Sequence, residues 1–243
     1  MKKWKLVFED HFDGDKLDES VWTREVGFIR KGEPQYFTKE DRNCFVENSN
    51  LIIRTIKEDY EGVHYTSASI CTALKKDWLY GRFEMRAKLP VTRSLWPAFW
   101  TMGSNFFDGV DWPLCGEIDI MEIFAGAGFR NYETLSTVHY LSAETNAHQQ
   151  QCGGKYAFRN NRPLNEDYHI YAVEWDAESM TFFFDKHILC KCEITPDMQG
   201  SFNKPHYIIL NTSLMSGDHA PNAESRFPQD YIIDYIRVYQ EEE

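Results

Sequence analysis

The sequence contains no long hydrophobic run. No apolar stretch approaches the roughly 18 residues that a membrane-spanning helix needs, so no membrane span is predicted. The N-terminal residues MKKWKLVFEDHF begin with lysines in positions 2 and 3 but lack the apolar core of a signal peptide. The chain is therefore expected either to stay inside the cell or to act after a leader has been removed.

Basic residues are outnumbered. The chain has 26 lysines and arginines against 38 acidic residues, which gives a formal net charge of −12. This balance argues against nucleic acid as a partner, because contacts of lysine and arginine with phosphate dominate that affinity. It also disfavours an anionic membrane surface. No glycine-rich phosphate-binding loop is present, so no organic cofactor is implied.

The cysteines lack the CxxC spacing that is typical of a zinc site. Cys190 and Cys192 would lie two positions apart on one strand face, which is a poor geometry for a mutual disulfide. We therefore expect small, buried residues with free thiols. The six cysteines are Cys44, Cys71, Cys115, Cys152, Cys190 and Cys192.

What the sequence does contain is a succession of β-strand patterns. Residues 81–89 read GRFEMRAKL, in which apolar side chains alternate with charged ones and share one face. Residues 171–175 and 180–185 flank a short connection and are typical of a hairpin. Few helical patterns intervene, which favours an all-β antiparallel sandwich over alternating β/α units. With no repeat or linker, residues 1–243 are predicted to form a single domain.

The segment GEIDIME carries three carboxylates. Glu117 and Asp119 lie two positions apart and share a strand face, whereas Glu122 would point into the core. An unpaired acid in the core is costly. A β-bulge near Ile120 and Met121 would shift the side-chain parity and return Glu122 to the face of the other two acids. The sequence therefore predicts a bulged strand with three acids in a row.

Such a row can act on glycosidic bonds. Residues four strand steps apart lie about 13 Å apart at Cα, and inward-leaning glutamates bring their carboxyl groups to about 5–6 Å. That spacing suits retaining hydrolysis, whereas inverting hydrolysis needs roughly 6.5–9.5 Å. Asp119 between them would raise the proton affinity of a neighbour, as a general acid near neutral pH requires. A solvated acidic face and a Ca²⁺ site are the open alternatives.

The same segment resembles the signature of glycoside hydrolase family 16, in the bulged form of laminarinases and related β-galactan hydrolases. The resemblance covers most of the chain, through FEDHFDGDKLDESVW, YGRFEMRAKLP, SLWPAFWTMG, YHIYAVEWDAESMTFFFD and FPQDYIIDYIRVYQ. It implies a concanavalin-like jelly-roll sandwich of two antiparallel sheets with a concave carbohydrate cleft. It also implies that Glu117 is the nucleophile, Asp119 the assisting acid and Glu122 the acid/base.

Substrate-binding candidates follow from the same resemblance. Flat indole rings suit the apolar faces of pyranose rings. Core packing explains Trp100 equally well, a surface salt bridge is an equal alternative for Arg82, and a satisfied core position is the alternative for His139. The candidates are Trp96, Trp100, Trp112, Asn43, Arg82 and His139.

Many family members carry one Ca²⁺ on the convex side of the sandwich. Glu9, Ser49 and Asp234 match its places, with Ser49 standing where glycine is usual. Calcium accepts mixed oxygen ligands, including backbone carbonyls. Because these positions are remote from the acids, the ion would be structural.

Two segments depart from the family pattern, namely TSLMSGDH after Asn211 and residues 124–135. Both should border the cleft, where loops set specificity on a fixed scaffold. The sequence therefore defines the glycosidic linkage that is cleaved less closely than it defines the hydrolytic reaction.

The leading interpretation is a retaining endo-β-glycanase acting on β-1,3-glucan or β-1,3/1,4-glucan, with WPxCG before the first acid favouring β-1,3-glucan. The alternatives are an endo-β-galactanase acting on agar-type or galactose-containing host glycans, and a non-catalytic carbohydrate-binding module. Because a polysaccharide does not enter a cell, we expect the protein to be secreted, periplasmic or on the cell surface. We also expect it to be a monomer.

Overall fold

The computed structural model describes residues 3–126, 133–157 and 162–242, without the side chains of residues 152 and 155–157. Within these ranges the chain is mostly β-strand. One short α-helix, α1, spans Gln199–Phe202, and two 3-10 helices span Ser104–Asp108 and Gly217–His219. No helix in the described part of the chain is long and apolar enough to cross a membrane.

The strands, in chain order, are β1 (Trp4–Asp10), β2 (Thr23–Glu25), β3 (Tyr36–Phe37), β4 (Cys44–Val46), β5 (Leu51–Tyr60), β6 (Val63–Ser67), β7 (Ser69–Cys71), β8 (Gly81–Lys88), β9 (Leu95–Gly103), β10 (Glu117–Glu122), β11 (Glu133–Leu141), β12 (His148–Ala157), β13 (His169–Trp175), β14 (Ser179–Phe184), β15 (His187–Glu193), β16 (His206–Leu214) and β17 (Gln229–Glu241).

These strands form two sheets. The ten-stranded sheet has the order β15-β14-β13-β8-β17-β5-β6-β3, with β1 also paired to β17 and β4 to β5. The seven-stranded sheet has the order β12-β11-β10-β9-β16-β7-β2. The short pair β3–β6 is parallel, and the pairs that build the sheet centres are antiparallel. The predicted all-β jelly-roll sandwich is confirmed.

Side-chain alternation explains how the sheets pack. The apolar residues of β8 and of its continuation to Leu89 are buried against the facing sheet, as the alternating pattern predicts. The predicted hairpin is found as β13 and β14, with Tyr171 opposite Phe184, and both rings are buried. Each buried large apolar side chain contributes roughly 1.5–3 kcal/mol to folding. This shared core holds the seven-stranded sheet in a fixed position.

The prediction of six free thiols is wrong for Cys190, which is disulfide-bonded. The reason is tertiary, because β12 and β15 are edge strands of different sheets that meet here. Gly154 on β12 packs so closely on Cys190 that a Cβ at that glycine would lie 2.6 Å from its sulfur. The side chain of Cys152 lies outside the described residues. The free and buried cysteines are Cys44, Cys71, Cys115 and Cys192.

The turn that leads into β10 is held tightly. Gly116 has a φ of +83°, a left-handed conformation that glycine adopts without steric cost. A Cβ at this position would lie 2.3 Å from the carbonyl oxygen of Ser201. The hydroxyl of Ser201 in turn donates a hydrogen bond to the carbonyl of Leu114 at 3.1 Å. Helix α1 therefore fixes the point at which β10 begins.

We expect Gly116→Ala to lower the free energy of unfolding by about 2–4 kcal/mol, because about 1 kcal/mol of left-handed strain is joined by about 1–3 kcal/mol of steric overlap. Gly62 is a matched control, since its φ is also +83° but nothing lies within 4 Å of a Cβ there. Gly62→Ala should lose only about 1 kcal/mol. Urea unfolding measures both, and equal losses would show that Ser201 does not constrain the turn.

Candidate active site

The predicted bulge is present in β10. The register with β11 shifts between Asp119 and Glu122, and the register with β9 shifts between Asp119 and Met121. Ile120 and Met121 are consecutive in the chain, yet both are buried in the core. Glu122 therefore returns to the outer face of the sheet, and all three carboxylates line one cavity with Glu117 at its edge. The prediction that the three acids share a face is confirmed.

Neighbouring strands of the same sheet complete the cavity. On β9, Trp100 lies opposite Asp119 and Ala98 lies opposite Glu122. Because strand side chains alternate, Phe99 on β9 and Leu210 on β16 point to the opposite side, into the core. The residues that line the cavity together with the acids are Glu33, Trp96, Ala98, Trp100, Asn211 and Ser213.

Two tryptophans hold the outer glutamates. The Nε1–H of Trp96 donates to Oε1 of Glu122 at 2.7 Å, and the Nε1–H of Trp112 donates to Oε2 of Glu117 at 2.7 Å. Hydrogen bonds to a carboxylate favour its ionised form and fix its orientation. The structure thus brings Trp96 and Trp112 to the predicted cleft, and each indole sets the position of one acid.

Trp100 lies at the floor of the cleft, where it is 8% exposed. Its Nε1–H donates to Oδ1 of Asn211 at 2.7 Å. The guanidinium of Arg30 covers its ring at 4.9 Å from the ring centre. Since its edge and one face are already occupied, Trp100 serves mainly as packed support for the cleft, which was one of its two predicted roles.

His139 on β11 is also brought to the site. Its Nε2 lies 3.2 Å from Oδ2 of Asp119 and 4.0 Å from Oε1 of Glu117. The structure places this histidine directly opposite Glu117, whereas Glu122 lies opposite Leu135. In this antiparallel register Glu122 lies further along β10, away from His139.

Burial dominates the electrostatics of the three acids. It raises the pKa of Glu117, an effect that His139 and the Trp112 hydrogen bond oppose. The pKa of Asp119 is raised well above its usual range by burial, by the charge of Glu117 and by a hydrogen bond shared with Glu117. The pKa of Glu122 is likewise raised well above its usual range by burial and by the charge of Asp119. The three acids therefore cannot all be ionised together near neutral pH.

Sequence reasoning missed the segment that crosses the cleft after β2. Arg30 forms an ion pair with Oε2 of Glu25 at 3.0 Å, and its Nη1 is buried without a hydrogen-bond partner among the described residues. Glu33 lines the carboxylate cavity, and burial raises its pKa. No spacing in the sequence links this loop to acids some 85 residues later. Only a search for charged residues inside loops would have suggested that Arg30 and Glu33 belong to the site.

The cleft extends to both sides of the acids. A cavity of about 670 Å³ adjoins Glu117 and is lined by Arg30, Phe106 and Phe107, among others. A cavity of about 470 Å³ lies on the other side and is lined by Trp96 and Phe124. The predicted cleft-bordering segment 124–135 begins here, although its residues 127–132 lie outside the described part of the chain.

Two predicted substrate contacts are not brought to the site. Asn43 is fully buried, and both of its amide hydrogens donate within the protein, to the carbonyl of Arg54 at 2.9 Å and to Oγ1 of Thr66 at 3.1 Å. Its Oδ1 accepts from Thr38 at 2.7 Å. This amide is therefore saturated by the protein itself.

Arg82 lies on β8, in the ten-stranded sheet, and its neighbour Phe83 faces the core. The guanidinium therefore projects from the opposite surface of the sandwich, where it pairs with Glu84 at 2.7 Å and Glu174 at 2.9 Å. This salt bridge is the alternative that the sequence left open. A substrate contact for Arg82 at the three acids is excluded by its place on the other sheet.

The residues predicted to hold calcium are engaged with other groups. The carboxylate of Glu9 lies 2.9 Å from His11 and 3.4 Å from Arg237, and the carboxylate of Asp234 pairs with Arg86. A cation is disfavoured beside these guanidinium groups. As they are arranged, the side chains at positions 9 and 234 do not fit a calcium site, and the predicted ion stays a prediction.

A jelly-roll sandwich with a long open cleft and a row of buried, unequally perturbed carboxylates is the architecture of an enzyme that cleaves glycosidic bonds. The model of the family described as "Glycosyl hydrolases family 16" matches residues 31–236. The chain belongs to this family and is a glycoside hydrolase.

Known proteins resemble it over nearly its whole length. The "Beta-glucanase" of Rhodothermus marinus is 35% identical, over 98% of this chain and 85% of that protein. The catalytic domain of an endo-1,3-beta-glucanase (laminarinase) from Thermotoga petrophila RKU-1 is 33% identical, covers 100% of both chains and superposes with a TM-score of 0.87. A structure reported for endo-acting O-glycanases of the human gut microbiota that initiate mucin breakdown is 29% identical, covers 98% of this chain and 91% of that chain, and has a TM-score of 0.87.

We expect Asn43→Ala to lower the free energy of unfolding by about 2–4 kcal/mol, because it leaves buried partners unsatisfied. Its kcat/KM, measured on folded protein, should stay within about twofold of the parent value. Asn211→Ala is the contrasting variant, since Asn211 lines the carboxylate cavity and should affect turnover as well. Thermal unfolding and glycosidase kinetics measure both effects. A raised KM in a stable Asn43→Ala protein would restore Asn43 as a substrate contact.

Proposed function

We propose that this protein is a retaining endo-β-glucanase that cleaves internal linkages of β-1,3-glucan of the laminarin type, or of β-1,3/1,4-glucan. The observation that carries the proposal is the bulge, which places Glu117 and Glu122 in one cavity while giving them different partners. The beta-glucanase and laminarinase relatives support a glucan substrate.

The proposed reaction is a double displacement. Ionised Glu117 attacks the anomeric carbon and forms a glycosyl–enzyme ester, while protonated Glu122 transfers its proton to the departing glycosidic oxygen. Glu122 then takes a proton from water, which cleaves the ester with net retention of configuration and restores both carboxyl groups. The Trp112 hydrogen bond and His139 favour the charged form of Glu117, and burial keeps the proton on Glu122. Asp119 shares a hydrogen bond with Glu117. It would form this bond again when the ester is cleaved and Glu117 is released.

Internal cleavage is supported by the shape of the cleft. Cavities of about 670 and 470 Å³ flank the acids on opposite sides, and each has the size range of a ligand pocket. Trp112 is 44% exposed beside the larger cavity, so its ring face can pack on a sugar. A polymer can therefore lie across the acids with residues bound on both sides of the scissile bond.

The endo-β-galactanase reading has the same reaction and differs in the loops that line the cleft. The O-glycanase neighbour is less similar in sequence than the laminarinase, which favours glucan. A non-catalytic binding module is disfavoured, because binding sugar does not require burying three acids at the expense of their ionisation.

The protein would act outside the cytoplasm, as a secreted, periplasmic or cell-surface monomer. A polysaccharide substrate requires an external site of action. The disulfide at Cys190 suits an oxidising compartment, and the acids, their tryptophans and His139 all come from one chain.

The test offers purified protein laminarin, mixed-linkage glucan, agarose and a poly-N-acetyllactosamine glycan, with fragments sized by chromatography. We expect a ladder of short oligosaccharides from laminarin. Glu117→Gln and Glu122→Gln should lower this turnover by at least about 1,000-fold while oligosaccharide binding, measured by calorimetry, persists. Fragments from agarose or lactosamine glycan alone would establish the galactanase reading, and full turnover by both variants would refute the assigned acids.

The two tryptophan hydrogen bonds are expected to control different limbs of the pH profile. Trp96→Phe removes a donor that lowers the pKa of Glu122, so that pKa rises and the alkaline limb of kcat/KM moves to higher pH. Trp112→Phe removes a donor that lowers the pKa of Glu117, so the acid limb moves to higher pH instead. Each shift should be about 0.5–1 pH unit. A profile in which both variants move the same limb would contradict the assigned roles.

A further inference from the structure

A second histidine lies behind His139. Nε2 of His148, at the start of β12, is 2.9 Å from Nδ1 of His139. The planes of the two rings differ by 24° and their centres are 5.2 Å apart, as expected for rings that meet edge to edge, and the ring of Trp112 packs on His148 at 4.6 Å. His148 thus touches both groups that act directly on Glu117, although it does not touch Glu117 itself.

Only one proton can lie between these two ring nitrogens. Burial, followed by the neighbouring His139, lowers the pKa of His148, which favours its neutral form. A neutral ring offers a lone pair at the nitrogen that carries no proton. The 2.9 Å separation fits a hydrogen bond from the Nδ1–H of His139 to an unprotonated Nε2 of His148.

This direction determines what His139 presents to the acids. When both nitrogens of His139 carry a proton, its Nε2–H lies beside the acids, with Nε2 3.2 Å from Asp119 and 4.0 Å from Glu117. The positive charge then lies beside the acid that must be ionised to attack. The titratable and charged groups around the pair, among the described residues, are Glu117, Asp119 and Glu122 from β10 and Arg30 from across the cleft.

We propose that His148 is a positioning residue for the nucleophile. By accepting a hydrogen bond from Nδ1 of His139, it directs the protonated Nε2 of that ring toward Glu117 and Asp119 and so keeps Glu117 ionised in mildly acidic solution. The proposal rests on the proposed function, in which Glu117 attacks the anomeric carbon. It extends the site by one residue, on an edge strand, that acts through His139.

Three substitutions separate hydrogen bonding from packing. His148→Gln keeps an acceptor near the position of Nε2 and does not titrate. His148→Phe keeps a ring against Trp112 but has no acceptor, and His148→Ala removes both. His64→Ala is the matched control, because His64 is an exposed histidine on β6 of the opposite sheet that pairs with Asp59.

The measurement is the pH profile of kcat/KM on a soluble β-1,3-glucan oligosaccharide. We expect His148→Ala and His148→Phe to move the acid limb to higher pH by about 0.5–1 unit, a three- to tenfold loss on that limb, while the alkaline limb stays in place. His148→Gln and His64→Ala should retain the parent profile. Parent behaviour of His148→Phe, or a shift in His148→Gln equal to that in His148→Ala, would overturn the proposal.

A second measurement does not depend on activity. Nitrogen-15 NMR of the histidine rings should show the neutral His139 ring protonated on Nδ1 in the parent and in His148→Gln, with that preference lost in His148→Phe. A His139 ring protonated on Nε2 in the neutral parent protein would also overturn the proposal. If the NMR result holds but no glucan is cleaved, the failure lies with the proposed substrate and not with the role of His148.

Discussion

The site depends on one local constraint, the extra residue in β10. A strand alternates its side chains strictly, so an acid five positions after another must face the opposite side unless the register shifts. Here the core accepts both Ile120 and Met121, and this double anchor holds the shift in place. Without it, Glu122 would enter an apolar core at a cost of several kcal/mol. The catalytic geometry is therefore stabilised by the packing of two apolar residues on the other side of the sheet.

The same burial that anchors the bulge sets the chemistry. Three carboxyl groups in one poorly hydrated cavity cannot all be charged. Neighbouring donors decide which of them carries charge. Trp112 and His139 lower the pKa of Glu117. At Glu122 the indole of Trp96 and the smaller effect of His139 act against burial and the charges of Asp119 and Glu117. Unequal surroundings for two similar acids are what separates a nucleophile from a proton donor. In its proposed role, His148 at the rim of the cleft adds to this difference through its hydrogen bond with His139.

The two sheets divide the tasks. The ten-stranded sheet buries one face and covers the other with ion pairs such as that of Arg82 with Glu84, so it serves as a scaffold. The seven-stranded sheet buries one face against it and presents the other as the cleft floor. Segments from distant parts of the chain then complete the site, with Arg30 crossing over Trp100 and the turn at Gly116 held by α1.

The sequence by itself determined the strands, the sandwich, the bulge and the three acids, because these follow from alternation over a few neighbouring residues and from the cost of burying an unpaired charge. It also pointed to Trp96 and Trp112. Only the tertiary structure decided the rest. Arg30, Glu33 and His148 reach the cleft from separate segments, the amide of Asn43 is consumed by partners up to 23 residues away, and Cys190 meets β12 across two sheet edges. Such contacts depend on how the two sheets pack against each other. The periodicity of a short sequence segment does not predict that packing.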